Sequence, residues 1–158
     1  MKQLPIGTQS FSVLRSTDCL YVDKTEYVHR MIITGRIYFL SRPRRFGKSL
    51  LVSTLDALFK GRKDLFEGLY IYDKWDWTQQ NPVLRIDFGG LSFRTTEDLK
   101  WSLSSFIRDA ADKYQLSLPD APLSYKFREL IEQLHKSTGQ KAVILIDEYD
   151  KPITDHLS

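Results

Sequence analysis

The feature that most constrains the fold is the tripeptide Gly47-Lys48-Ser49, which lies between an apolar run and a helical pattern. Residues 37–40 are apolar throughout and predict a short buried strand, and apolar residues recur at helical spacing over residues 50–59. A strand, a loop that ends in Gly-Lys-Ser and a helix form the context of a phosphate-binding loop. The segment therefore predicts an α/β fold with a phosphate site at the start of a helix.

This loop offers several kinds of contact to phosphate. Successive N–H groups at a helix start point at one spot, and the helix dipole adds partial positive charge there. We expect Gly47 to let the backbone approach phosphate closely, Lys48 to reach the outer phosphates, and the Ser49 hydroxyl to bind Mg²⁺. The predicted nucleotide-binding residues are Arg44, Arg45, Phe46, Gly47, Lys48, Ser49 and Leu50.

The loop departs from the usual pattern, because Arg42 and Pro43 stand where the motif opens with Gly. A Gly-Lys-Ser tripeptide alone is often a solvated turn, so a second segment must support the assignment. Residues 142–146 form a continuous apolar run that ends in Asp147 and Glu148. The run predicts a strand buried on both faces, whose carboxyl end is where ligands bind in open α/β sheets. We expect Asp147 to hold Mg²⁺ and Glu148 to deprotonate the attacking water.

Length, charge and composition limit the other classes of function that the chain could have. The chain has 158 residues, a length typical of one domain, and its net charge of +3 is too small to indicate nucleic-acid binding by itself. The single cysteine permits no intrachain disulfide, and no segment is long and apolar enough for a membrane span. We therefore expect a cytoplasmic protein without membrane partners. A local basic cluster remains at residues 42–48, and it could bind nucleotide or nucleic-acid phosphate.

The remaining segments predict an alternation of strands and helices. Asp23 is predicted to cap a helix with Glu26 reaching back, and residues 83–88 to form a strand. Thr95 or Thr96 is predicted to cap one later helix, and Ser124 another that ends before Gly139.

Four segments together resemble the AAA-ATPase-like family of bacterial P-loop proteins, and the resemblance covers essentially the whole chain. They are Leu-Pro-Ile-Gly at residues 4–7, Tyr-Val-Asp-Lys-Thr at 21–25, Arg-Pro-Arg-Arg-Phe-Gly-Lys-Ser at 42–49, and Leu-Ile-Asp-Glu-Tyr-Asp-Lys-Pro at 145–152. In that family the loop usually opens with Arg, so the resemblance removes the objection to Arg42. It implies an ATP-binding domain of the additional-strand, catalytic-glutamate class, built as a three-layer α/β sandwich with a mostly parallel sheet.

The resemblance also implies more sheet than 158 residues supply. A strand from later in the protein is expected between the loop strand and the Walker B strand, so we expect an N-terminal portion with an incomplete sheet. Within it, residues 1–35 would be a lead-in segment and helix, and residues 36–158 would run from the P-loop to Walker B. Longer members often carry a nuclease-like domain of the PD-(D/E)XK type. We expect the unpaired edges of the sheet to pair with the C-terminal remainder of the protein or with another copy of this chain.

The sequence-based hypothesis is Mg²⁺-dependent ATP binding, with hydrolysis in the longer protein, in which Lys48 and Glu148 are the catalytic residues. Arg44 or Arg45 would contact phosphate, or else face solvent or a partner; no arginine finger is assigned. One alternative is a phosphotransferase of the kinase-type P-loop class, in which Glu148 activates a substrate hydroxyl. Another is a nucleic-acid-binding module that uses the basic cluster together with Trp75 and Trp77, and nucleic acid is also an expected partner of the longer protein.

Overall fold

The computed structural model describes residues 3–17, 19–43, 45–90 and 93–154. The chain divides into two compact units, Met1–Gln80 and Asn81–Ser158, and each is described by itself. Helices and a small parallel sheet occur together, as an α/β chain requires. The coarse fold class is therefore as the sequence predicts.

The first unit is built around a helix pair. Its elements are α1 (Phe11–Ser16), α2 (Thr25–Thr34), α3 (Lys48–Phe59) and two 3₁₀ turns, Lys63–Phe66 and Tyr70–Asp73. Helix α1 packs on α3 because Phe11 and Leu58 are fully buried, and the N–H of Phe11 donates to Ser53 Oγ at 2.9 Å. Helix α3 ends at Phe59, two residues before Gly61, whose φ of +71° ends the helical path as predicted.

Asp23 does not form the predicted capping box. The N-cap of α2 is Lys24, and Asp23 Oδ1 instead accepts hydrogen bonds from the N–H of Thr25 at 2.8 Å and its hydroxyl at 2.7 Å. Glu26 pairs with Arg30 one turn later at 3.0 Å. The prediction was wrong because the carboxylate closes a turn just before the helix, which leaves Glu26 to an i,i+4 pair.

The predicted strand at residues 37–40 is absent: the structure describes this segment as irregular. Ile37 is 95% exposed and Phe39 is 71% exposed, so the run is not buried. The hydroxyl of Tyr38 turns back to Thr34 Oγ1 at 3.1 Å and to the carbonyl of Met31, at the end of α2. The prediction failed because a strand needs a neighbouring strand to satisfy its backbone, and an apolar run alone supplies none.

The second unit contains the parallel sheet. Its elements are β1 (Val83–Asp87), α4 (Thr96–Lys113), α5 (Leu123–Thr138), β2 (Val143–Asp147) and α6 (Lys151–Thr154). The two strands pair in parallel, from Val83 opposite Val143 to Asp87 opposite Asp147. The two strands predicted within this unit are therefore confirmed, and their register brings their acidic ends side by side.

The caps of the two long helices differ in outcome. Thr95 caps α4 in a reciprocal capping box with Asp98, as predicted. Helix α5 begins at Leu123 after Pro122, so Ser124 lies inside the first turn and its prediction as the cap was wrong. Proline has a fixed φ and no N–H, both of which suit a helix start, so the helix begins two residues earlier than a cap at Ser124 would allow. Gly139 follows α5 with φ +68°, as expected.

The core of the second unit lies between β1 and its two helices. Leu84 packs with Leu130 and Leu134 of α5, and all three are almost completely buried. On the same face of the sheet, however, Ile144 is 40% exposed and Ile146 is 47% exposed. The prediction that the β2 run is buried on both faces was therefore wrong for these two residues. The described sheet has two strands, and α4 and α5 bury mainly the side chains of β1.

Candidate functional site

The loop before α3 places a helix start at the Gly-Lys-Ser tripeptide. Gly47 is the N-cap of α3 with φ +77°, and Lys48 is the first helical residue. An added Cβ at Gly47 would meet no atom within 4 Å, so the positive φ, not crowding, requires glycine here. The carbonyl of Gly47 accepts the N–H of Leu51 at 2.9 Å. The N–H groups of the first helical turn lack an intrahelical acceptor, and donors of this kind can bind an anion.

The side chain of Lys48 spans the loop instead of extending into solvent. Its Nζ donates to the carbonyl of Arg42 at 3.0 Å, six residues earlier in the chain. Ser49 and Leu50 are half-buried in the first turn of α3. The loop is thus closed by its own lysine, whose ammonium donates to a neutral backbone carbonyl.

The other predicted loop residues lie at the surface. Phe46 is 70% exposed, and Arg45 is exposed with φ +67°, a left-handed conformation that non-glycine residues rarely adopt. Arg44 lies outside the described residues. Positive φ at Arg45 and Gly47 turns the backbone twice within three residues, a feature of loops whose N–H groups converge on an anion.

In the second unit, the sheet brings carboxylates to one end. Asp147 is the last residue of β2 and its side chain is only 4% exposed. Its Oδ1 accepts the N–H of Glu148 at 3.1 Å, and its Oδ2 faces Arg85 at 3.9 Å, a distance that suits an ion pair but not a hydrogen bond. A buried ionised carboxylate needs such a partner or a metal ion.

Glu148 follows in a strained backbone conformation with φ +50°. A non-glycine residue in this region costs energy, and such strain often occurs where a side chain must be aimed for function. The side chain is half-buried beside Gly89: a Cβ at Gly89 would come within 3.3 Å of Glu148 Cγ and 3.1 Å of Asp87 Oδ1. The glycine after β1 therefore leaves room for the two acidic side chains.

Sequence reasoning missed Arg85 and Asp87. Asp87 lies opposite Asp147 in the register, and its Oδ2 is 4.0 Å from the guanidinium of Arg85. Arg85 and Asp87 are two residues apart in one strand and therefore lie on the same face, as the sequence alone indicates. The sequence does not give the register between β1 and β2, which places that face beside Asp147.

The predicted site residues fall into two groups. Gly47, Lys48 and Ser49 lie at the start of α3 in the first unit, and Asp147 and Glu148 lie at the end of β2 in the second. Within the described ranges, no cluster of three or more His, Cys, Asp or Glu side chains could hold a metal ion alone.

The tryptophans of the nucleic-acid alternative are packed. The indole of Trp77 donates to the carbonyl of Tyr72 at 2.7 Å, and its ring lies 5.2 Å from that of Phe66. Trp75 makes an edge contact of 5.6 Å with Phe59. Rings in such contacts stabilise the first unit, and this favours the interpretation of the aromatic segment as packing over a stacking platform for bases.

Comparisons with known proteins agree with the sequence motifs. The family model described as predicted AAA-ATPase matches residues 5–158. An uncharacterized protein in the vnfD 5' region of Azotobacter chroococcum mcd 1 is 45% identical over 158 residues, which is 99% of this chain and 31% of that protein. The chain thus spans about a third of that relative's length. No solved structure gives a significant match. In the described part of the chain, no helix combines the length and apolar character needed to cross a bilayer.

Proposed function

The chain belongs to the AAA-ATPase-like family, and from that premise we propose that it binds ATP with Mg²⁺ and that the longer protein hydrolyses the nucleotide. The proposed architecture is a three-layer P-loop sandwich in which the loop before α3 and the end of β2 face one Mg²⁺–triphosphate. Family membership supports nucleotide binding in general, and the residues at the two segments support the finer assignment.

The observation that carries the proposal is the start of α3. The helix begins at Lys48 after a left-handed Gly47, and among the residues that the structure describes no side chain caps its first N–H groups. An uncapped helix start of this kind, followed at once by a lysine and a serine, has the donors and the positive charge that a triphosphate requires.

The donors present fit the metal as well. Mg²⁺ prefers oxygen ligands and usually combines one or two carboxylates with phosphate and water. The buried carboxylate of Asp147 and the hydroxyl of Ser49 are ligands of this kind, and they would hold the ion. When bound, Mg²⁺ would neutralise charge on the phosphates.

The roles of the side chains follow from their chemistry. Lys48 would leave the carbonyl of Arg42 and contact the outer phosphates. Glu148 would accept a proton from water as the water oxygen bonds to the γ-phosphorus and the bond to the β–γ bridging oxygen breaks. Arg45, and Arg44 beside it in sequence, would add charge-assisted contacts to phosphate. Positioning and charge stabilisation dominate phosphoryl transfer, so residues from the rest of the protein would be needed for fast turnover.

Calorimetric titration with Mg·ATP tests the proposal. We expect Lys48→Ala to weaken binding about 10- to 100-fold, because a charge-assisted contact is worth roughly 1.5–3 kcal/mol. Lys60→Ala is the matched control, since Lys60 follows the other end of α3 and pairs with Asp56. It should leave affinity unchanged. Equal affinity of the wild type and Lys48→Ala would refute the phosphate-binding role of the loop.

Parallel titrations separate the rival activities. Binding to single-stranded DNA that is unaffected by ATP and falls steeply with salt would instead favour the nucleic-acid module. Release of free phosphate, measured beside transfer of labelled phosphate to small hydroxyl compounds, distinguishes hydrolysis from phosphotransfer in the longer protein.

A further inference from the structure

We propose that Arg85 is the counter-ion of Asp147 when no metal is bound, and that Mg²⁺ binding transfers Arg85 from Asp147 to Asp87. The inference rests on the proposed function, because it concerns the same Mg²⁺ site. It assigns a role to two residues of β1 that do not belong to the nucleotide motifs. Arg85 would thus be a positioning residue that sets metal affinity.

The register of the sheet brings the three side chains together. Asp87 is paired with Asp147 in the parallel ladder, so these two carboxylates project from the same face at the carboxyl ends of both strands. Arg85 lies two residues before Asp87 and therefore on that face too. Its guanidinium is 4.0 Å from Asp87 Oδ2 and 3.9 Å from Asp147 Oδ2, so it lies almost equally far from both carboxylates.

Both carboxylates are oriented in the same way. Asp87 Oδ1 accepts the N–H of Gly89 at 2.8 Å, and Asp147 Oδ1 accepts the N–H of Glu148 at 3.1 Å. Each therefore uses one oxygen to fix the loop that follows its strand and turns the other toward Arg85. Both distances exceed that of a hydrogen bond, so a small shift of the guanidinium is enough to strengthen its interaction with either carboxylate.

Burial differs strongly between the two carboxylates. The side chain of Asp147 is 4% exposed, that of Asp87 is 51% exposed, and that of Arg85 is 35% exposed. Without a cation nearby, a buried carboxylate costs far more than an exposed one, so Asp147 is the carboxylate that needs Arg85 in the absence of metal. Once Mg²⁺ supplies positive charge at Asp147, the like charge of Arg85 is repelled. Asp87 is then the nearest anion that can receive it.

The proposal predicts opposite effects for the two neighbours of Asp147. Replacing Arg85 by methionine removes the competitor, and we expect metal to bind about 5- to 10-fold more tightly, because one charge at this distance is worth at least about 1 kcal/mol. Replacing Asp87 by asparagine leaves Arg85 with Asp147 alone, and we expect binding to weaken about threefold, the smaller effect of an exposed ion pair. Arg85→Lys keeps the charge and should stay within about twofold of the wild type.

The test titrates Mn²⁺ into the 158-residue chain with a fixed, saturating concentration of a non-hydrolysable ATP analogue. Electron paramagnetic resonance measures free Mn²⁺, so no turnover is required. Arg128→Met is the matched control, since it removes one positive charge from α5, where Arg128 pairs with Glu132. Its Mn²⁺ affinity should equal that of the wild type. Circular dichroism checks the fold of every variant, and Arg85→Gln replaces Arg85→Met if the latter does not fold.

The double variant distinguishes a movement of Arg85 to Asp87 from a direct electrostatic effect of the Asp87 charge on the bound metal ion. If Asp87 acts by receiving Arg85, then Asp87→Asn should change Mn²⁺ affinity little when Arg85 is already methionine. The same threefold loss in both backgrounds would overturn the inference, as would unchanged or weaker binding by Arg85→Met. The proposed function fails separately: it is refuted if Asp147→Asn binds Mn²⁺ as tightly as the wild type.

Discussion

Asp23 joins two distant parts of the first unit, and its removal is a strong test of the fold. One carboxylate oxygen holds the N–H and hydroxyl of Thr25, and the other accepts the N–H of Tyr70 at 2.7 Å, 47 residues away. Thr25 is fully buried, and its hydroxyl in turn accepts the N–H of Ile71 at 3.1 Å. The carboxylate thus holds the start of α2 against the 3₁₀ turn Tyr70–Asp73.

Asp23→Ala should lower the free energy of unfolding of the first unit by about 2 kcal/mol. Hydrogen bonds to a charged group contribute roughly 1.5–3 kcal/mol each when buried, and the value is reduced here because solvent screens the exposed carboxylate. With a urea dependence of about 1–3 kcal/mol per molar, the midpoint should fall by roughly 1 M. Fluorescence of Trp75 and Trp77, both packed in this unit, follows the transition.

The destabilisation caused by Asp23→Ala should decrease as the pH is lowered. Partial burial by itself raises the pKa of Asp23, but its hydrogen bonds with Tyr70 and Thr25 and the charge of Arg15 outweigh burial and hold the pKa below its ordinary value. The stabilisation is therefore fully present above the ordinary aspartate pKa and is lost as pH falls through the lowered value. The difference between wild type and Asp23→Ala should be constant near neutrality and shrink below about pH 4.

Asp76 offers a matched control. Its Oδ1 accepts the N–H and hydroxyl of Thr78 at 3.1 and 2.6 Å, the same local arrangement that Asp23 has with Thr25. In the described part of the chain, the hydrogen-bond partners of the Asp76 carboxylate all lie within three residues of it. Asp76→Ala should therefore cost clearly less than Asp23→Ala. Equal midpoint shifts for the two variants, or a difference that grows on acidification, would refute the assignment of Asp23 as a long-range clamp.

Three further predictions concern other elements. Thr95→Ala should destabilise the second unit by about 1 kcal/mol through loss of the α4 capping box, measured by thermal unfolding, and Thr96→Ala, one residue inside the helix, should not. Leu134→Ala should lower the free energy of unfolding of the second unit by about 2–5 kcal/mol, measured by urea denaturation, because this side chain is fully buried against β1. Glu148→Gly should abolish phosphate release by the longer protein without loss of thermal stability, since glycine adopts the positive φ freely; a large fall in melting temperature would contradict this.

Elements with a complete local signal could be predicted from the sequence. Helix α4 has a cap, an apolar face and a charged last turn, and α3 follows from its spacing and from Gly61. The strand β2 follows from an apolar run that ends in acids. In each case the residues that determine the element lie within it or within two residues of its ends, so tertiary contacts stabilise a structure that the segment already favours.

Apart from the cap at Ser124, which the nearby Pro122 decides, the errors arose where a distant partner determines the structure. Residues 37–40 have the composition of a strand, but a ladder needs a neighbour, and Tyr38 contacts the end of α2 instead. Asp23 has the sequence of a cap, yet its second oxygen binds an N–H 47 residues away. At the candidate site, the acids of β2 were visible in sequence. Arg85 was not recognised because its distance to Asp147 depends on the register between two strands.

The central claim is that the loop before α3 and the end of β2 bind one and the same Mg²⁺–triphosphate. The most direct test is a double-mutant cycle of Ser49→Ala and Asp147→Asn, with Mn²⁺ affinity measured in the presence of an ATP analogue. Ligands of one ion should couple by more than about 1 kcal/mol, so the double variant should bind little worse than the weaker single variant. Losses that simply add within about 0.5 kcal/mol would mean that the two residues act on separate sites, and would contradict the claim.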